Sequence, residues 1–137
     1  MLNRDDISVL LLTGYSPRRD AIVNILHDAV GIELKVDTAK SCKEMIENFS
    51  ESPSICLLDL ANVKDSSIRV VKQTKEHFKE TKLVAIHIYS SSLLIDPLFN
   101  AGIDGYLSYE PNKLMVKDAI EHVLSGNTYV PENIYSS

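Results

Sequence analysis

What most constrains this chain is a repeated order: a short apolar run, then a stretch with helical spacing, five times in succession. Ile7 to Leu12 is an unbroken apolar run ending at Thr13-Gly14. A strand with one wet face alternates polar and apolar residues, so an unbroken run implies cover on both faces. Ser16-Pro17 then opens a helix, with serine as the cap and proline at the first helical position. Ala21, Ile22, Ile25, Leu26 and Ala29 follow at helical spacing, and Gly31 lies past the end. Ile32 to Val36 reads as a shorter, alternating edge strand. Ser41-Cys42-Lys43-Glu44 has capping-box spacing and starts a helix carrying Met45, Ile46 and Phe49.

The pattern continues with a buried strand, Ile55 to Leu58, running into Asp59. A polar helix covers about 67–78, and its Lys72, Lys75, Glu76 and Lys79 read as a solvated face. Leu83 to Ile88 is a fourth strand. Leu93 to Asn100 is a short helix interrupted by Pro97. Tyr106 and Leu107 lie in a fifth strand after Asp104-Gly105. A last helix over about 112–125 turns Val116, Ile120, Val123 and Leu124 inward and stops at Gly126. Strands alternating with helices give right-handed crossovers and a parallel sheet covered on both sides. In such a sheet ligands bind beyond the carboxyl ends of the strands, where the strand order reverses. The residues placed there are the Thr13-Gly14-Tyr15 turn, Asp59, His87, Tyr106 and Tyr109.

Composition narrows the function. The 137 residues carry 14 Lys+Arg against 19 Asp+Glu, a net charge of −5, which disfavours nucleic-acid binding by this segment. No apolar run approaches the ~20 residues of a membrane helix, and the opening residues do not resemble a signal peptide. Cys42 and Cys56 form no CxxC, and neither they nor His27, His77, His87 and His122 have metal-ligand spacing. A reduced, cytoplasmic protein without a metal is the expectation.

Three stretches, in order and at the right spacing, resemble the receiver domain of bacterial two-component response regulators. They are Leu57-Leu58-Asp59-Leu60, Ala101-Gly102-Ile103-Asp104-Gly105-Tyr106-Leu107, and Leu124-Ser125-Gly126-Asn127-Thr128-Tyr129-Val130-Pro131. The last is similar to the end of receivers in regulators with a helix-turn-helix output domain. The resemblance covers about residues 6–126. It implies a flavodoxin-like (βα)5 fold with strand order 2-1-3-4-5, a receiver-like domain over 1–126, and a tail or linker over 127–137 leading to an output domain. By the same resemblance, Asp59 stands where the family's aspartate takes a phosphoryl group from a histidine kinase. An acidic pair after the first strand then helps hold Mg²⁺, and a Ser/Thr and a Lys after strands four and five hold the phosphoryl oxygens.

This chain departs from that pattern. Thr13-Gly14 replaces the acidic pair, His87 stands at the Ser/Thr position and Tyr109 at the lysine, with Pro111 displaced behind Glu110. Asp5 and Asp6 cannot substitute, because they precede the first strand, whose far end is about 20 Å away. That leaves Asp59, with at best the Ala61 carbonyl, to hold Mg²⁺, so metal binding is expected to be weak or absent. Most donors of the electrostatic term are missing. The expectation is an atypical receiver, not an enzyme, which acts by protein contacts and controls transcription through an output domain. Its implied partners are a sensor kinase and a second copy of the chain. The alternative is a conventional phospho-acceptor at Asp59.

Plainer roles stand beside these. Asp59 can simply end a strand and cap the next loop, and His87 can be a hydrogen-bonded residue at the core's edge or a pH-sensing partner of Asp59. Tyr106 and Tyr109 suit either amphipathic packing with a wet hydroxyl or a switch and partner surface. The Thr13-Gly14-Tyr15-Ser16 turn, with Arg18 and Arg19, loosely resembles a flavodoxin phosphate loop, so flavin or nucleotide binding is a remote alternative. No GxSxG elbow supports a hydrolase.

Overall fold

A computed structural model describes residues 7–135. Asp5 and Asp6 lie outside the described residues. Five parallel strands run β1 (Ser8–Leu12), β2 (Lys35–Ala39), β3 (Ile55–Asp59), β4 (Lys82–His87) and β5 (Gly105–Ser108), in the spatial order β2-β1-β3-β4-β5. The parallel sheet covered on both sides is that expected from the alternation of runs, and the strand order and flavodoxin-like architecture are those the resemblance implies. The connecting helices are α1 (Ser16–Val30), α2 (Cys42–Asn48), α3 (Ser67–His77), α4 (Ser92–Ala101) and α5 (Lys113–Leu124), followed by a short α6 (Glu132–Tyr135). No helix among the described residues is long and apolar enough to cross a membrane.

The unbroken runs are buried on both faces because successive side chains feed two separate cores. Val9, Leu11, Ile55, Leu57, Val84, Ile86 and Leu107 pack with Ile22, Leu26, Val116, Ile120 and Val123, which lie on α1 and α5. Leu10, Leu12, Cys56, Leu58, Leu83, Ala85 and Tyr106 pack with Met45, Val70, Val71, Ile95 and Leu98, which lie on α2, α3 and α4.

The boundaries differ from the sequence expectation in several places. Helix α1 begins at Ser16 itself; its N-cap is Tyr15, with no capping hydrogen bond from that side chain, and Ala21 is exposed. Strand β2 starts at Lys35, not Ile32. Gly31, at φ 142°, opens a turn closed by the Leu34 N–H on the Gly31 carbonyl, and His27 Nε2 binds the Leu34 carbonyl, which leaves Ile32 85% exposed. The capping box holds, with Ser41 Oγ accepting from the Glu44 N–H, but Glu44 returns to the Lys40 N–H and Ile46 faces outward. Pro97 does not interrupt α4. The Leu93 carbonyl it deprives of a donor lies on a flank where Leu93 is 83% exposed, so water can satisfy it. Ile88 lies past the end of β4 and is exposed.

Part of the segment expected as a tail is built into the domain. The Tyr129 N–H donates to the Asp104 carbonyl and the Tyr106 N–H donates to the Tyr129 carbonyl, forming a parallel bridge on the outer edge of β5. Pro131 and Ile134 are buried beyond it.

Candidate functional site

The site is built around Asp59, the last residue of a strand with no exposed position, and its own side chain has no solvent exposure. The pairing of Leu12 with Leu58 sets Thr13, the first residue past β1, beside it. Thr13 Oγ1 donates to Asp59 Oδ2 at 2.8 Å. A 3₁₀ turn over Leu60–Asn62 brings the Asn62 amide back onto the same oxygen at 2.9 Å. From the first turn of α1, Arg18 reaches across: its Nη2 donates to Oδ1 at 3.1 Å and its Nε to Oδ2 at 3.4 Å. Tyr109, just past β5, closes the other side. The Arg18 guanidinium carbon lies 3.9 Å from the Tyr109 ring centroid, and Asn62 Nδ2 donates to the Tyr109 hydroxyl at 3.2 Å.

Physics requires some such arrangement. An ionised carboxylate removed from water without a counter-charge is costly, and a charge in this position must be paired and hydrogen-bonded. Arg18, 14% exposed at its side chain, supplies the charge; Thr13 and Asn62 supply neutral donors. Stacking on Tyr109 orients the guanidinium and adds a cation–π contact. Among the described residues no buried side-chain nitrogen or oxygen lacks a partner.

The residues do not fit the divalent cation that receivers use. The Thr13 hydroxyl is spent on Asp59. At Gly14 a Cβ would lie 2.6 Å from the Asn62 carbonyl oxygen, and the Gly14 N–H donates to that oxygen at 2.9 Å, so no carboxylate can stand there without displacing the loop. A cation placed on Asp59 would also face the guanidinium. Ala61 is exposed in the 3₁₀ turn. Among the described residues no three His, Cys, Asp or Glu side chains gather as ligands.

His87 is engaged elsewhere. Its Nδ1 accepts from the Ile88 N–H at 2.8 Å, so the neutral ring carries its proton on Nε2 and donates to Ser67 Oγ at 2.9 Å. That tautomer cannot take a proton from Ser67, which disposes of a serine–histidine nucleophile here. Burial pushes the His87 pKa down, and nearby Asp59 opposes the shift. His87 is thus the hydrogen-bonded residue at the core's edge, and the alternative of a direct His87–Asp59 pair does not form, because both ring nitrogens are already taken. The Tyr106 hydroxyl is not wet, as amphipathic packing would have left it. The residue has no exposure, and its hydroxyl donates to the Tyr89 carbonyl at 2.7 Å. Tyr89 stacks on His87 with centroids 4.0 Å apart.

Sequence reasoning missed Arg18 as the partner of Asp59 and offered it, with Arg19, as a phosphate-holding pair. Arg18 is committed to Asp59, and Arg19 pairs with Asp20. One signal was available. A lone aspartate ending a fully buried strand needs a counter-charge, and a cation in the first turn after the neighbouring strand is well placed to give it.

No protein-family model matches the chain. The response regulator UvrY of Escherichia coli K12 is 26% identical over 130 residues, 93% of this chain and 59% of UvrY. The transcriptional regulatory protein DegU of Brevibacillus brevis is 18% identical over 131 residues, 94% of this chain and 55% of DegU. A LuxR-family two-component response regulator from an Aurantimonas species superposes with a TM-score of 0.82 at 18% identity, over 94% of this chain and 92% of that one. The chain is similar to response regulators in sequence, and its fold is that of their receiver domains. It spans less than two thirds of either curated relative.

Proposed function

We propose that this receiver is atypical: it passes a regulatory signal by protein contacts, without the usual Mg²⁺-dependent phosphorylation of Asp59. One observation carries the reading. The Asp59 carboxylate is fully buried, and both oxygens are held by donors from the chain itself, Oδ1 by Arg18 and Oδ2 by Thr13, Asn62 and Arg18. An attacking carboxylate oxygen needs a free lone pair aimed at phosphorus and cations around the incoming oxygens. Here the cation is already paired. The partners are a sensor protein or a second copy of the chain, the compartment is the cytoplasm, and the output is transcription through a DNA-binding module outside these residues, as the likeness to DegU and UvrY suggests.

Acetyl phosphate with Mg²⁺, followed by intact-mass measurement, tests the reading. It predicts no phosphoryl adduct under conditions that load a conventional receiver. The competing reading, a phospho-acceptor working at reduced efficiency, rests on the position of Asp59 at the carboxyl end of β3; a stable adduct lost in the Asp59→Asn variant would establish it.

A further inference from the structure

Beside the filled pocket lies an open one. A cleft of about 630 Å³ is lined by Gly14 and Tyr15 after β1, by Lys40, Ser41, Cys42 and Lys43 entering α2, and by Asn62, Val63, Lys64, Asp65 and Val70 after β3. Gly14 and Asn62 are shared between the two sites, but neither Asp59 nor Arg18 lines the cleft. Its place is the carboxyl end of β1, where the strand order reverses and doubly wound sheets bind ligands. Its volume falls within the range of small-molecule sites.

The charge is unlike that of the whole. In a chain of net charge −5, three lysines and a single aspartate face this cleft. The lysine side chains are exposed and free to turn inward. Glu44, the other nearby acid, accepts the Lys40 N–H and does not line the cleft. The floor is apolar: Val70 and Cys42 are buried, and Val63 is half-buried against the core. At the mouth Tyr15 is 54% exposed, a large surface for an aromatic residue next to a polar cleft. Cationic rim, apolar floor and free aromatic ring together select a ligand with an anionic group on an apolar or aromatic body.

We propose that this cleft binds a small aromatic phosphate of nucleotide size, with Lys40, Lys43 and Lys64 holding the phosphate and Tyr15 stacking on the ring. The ammonium groups supply point-charge contacts of the kind phosphates take from lysine, and ring stacking on tyrosine adds to them without requiring a particular base. The proposal does not depend on the fate of Asp59 and needs no metal.

Amide NMR of the whole chain, titrated in Mg²⁺-free buffer with AMP, ATP, inorganic phosphate and a polyglutamate peptide in separate arms, tests it. The expected result is saturable shifts for AMP or ATP at Gly14, Tyr15, Lys40–Lys43 and Asn62–Asp65, with inorganic phosphate acting on the same lysines more weakly. Lys40→Ala with Lys43→Ala, and Lys64→Ala separately, should weaken nucleotide binding about tenfold. Because these side chains are exposed, the melting temperature should hold. Tyr15→Ala should weaken AMP binding and leave inorganic phosphate unchanged. Absence of saturable shifts at millimolar nucleotide overturns the proposal, as do shifts indifferent to the lysine variants. Response to polyglutamate alone overturns it too, making the cleft a docking site for an acidic protein segment.

Discussion

Arg18 and Asp59, 41 positions apart in the chain, form a two-point ion pair in which Nη2 and Nε each take one carboxylate oxygen. The pair occupies ground where a receiver is expected to keep its carboxylate open to metal and phosphate. Removing one member strands a buried charge, whereas removing both does not. Arg18→Met should therefore cost about 3 kcal/mol, the low end for a broken buried pair because Arg18 retains some exposure. Adding Asp59→Asn should recover a large part of that loss. Urea denaturation of the single and double variants checks this, and strictly additive losses would show that the two residues do not act as a unit.

His87 gives the fold a pH dependence of known sign. Burial lowers its folded pKa below 6.5, so between the two values the unfolded chain binds a proton that the native chain does not. Stability contributed by the neutral ring is present above 6.5 and is lost as pH falls toward the folded value. His87→Gln should flatten the slope of stability against pH on the acid side of 6.5. Denaturation curves at several pH values down to 5 measure it, and an unchanged slope in the variant would assign the acid sensitivity to other groups.

Tyr106 ties β5 to the loop after β4 through its hydroxyl on the Tyr89 carbonyl. Burial raises the phenol pKa, so it remains a donor through the neutral range. Tyr106→Phe keeps the ring and loses one buried hydrogen bond, a change of about 1–2 kcal/mol with the Tyr89 carbonyl left unpaired. Faster amide exchange should be confined to the loop around Tyr89 and to His87, which stacks on it. Uniform acceleration across the sheet would mean that the bond supports the whole fold instead.

Cys42 and Cys56 are both buried, and burial pushes both thiols up, Cys56 far out of the thiolate range. The thiolate is the reactive form. In the native protein both should react with a thiol reagent only as fast as the chain opens, and at once in denaturant. Prompt native labelling of Cys42 would show that the adjoining cleft opens to its floor.

Much of the fold was legible because burial on both faces leaves an unbroken apolar run. Ile7–Leu12 and Ile55–Leu58 gave two strands, and helical spacing on Val116, Ile120 and Val123 gave the last helix. The second strand was misplaced because nothing local distinguishes Ile32, exposed in a turn, from Val36, paired with Val9. Pro97 misled for a different reason: its penalty depends on which carbonyl it deprives, and sequence does not say that Leu93 lies exposed. At the site, Asp59, Thr13, Gly14 and Tyr109 were all singled out, and they do converge. Arg18 and Asn62 were not assigned to Asp59, since what joins them is the path of α1 and of a 3₁₀ turn over the end of the sheet. The open cleft had no local signature, because its three lysines come from two separate segments, the entry to α2 and the loop after β3.

The most direct test is to add Mg²⁺ and then beryllofluoride to the isotopically labelled chain and follow the amides of Thr13, Asp59, Asn62 and Tyr109. With Arg18 seated on Asp59, those signals should stay in place as both reagents rise, and should respond only once Arg18 is replaced. Saturable movement of the same four signals in the unmodified chain would contradict the account, by showing that the carboxylate gives up its arginine for a metal and a phosphoryl mimic.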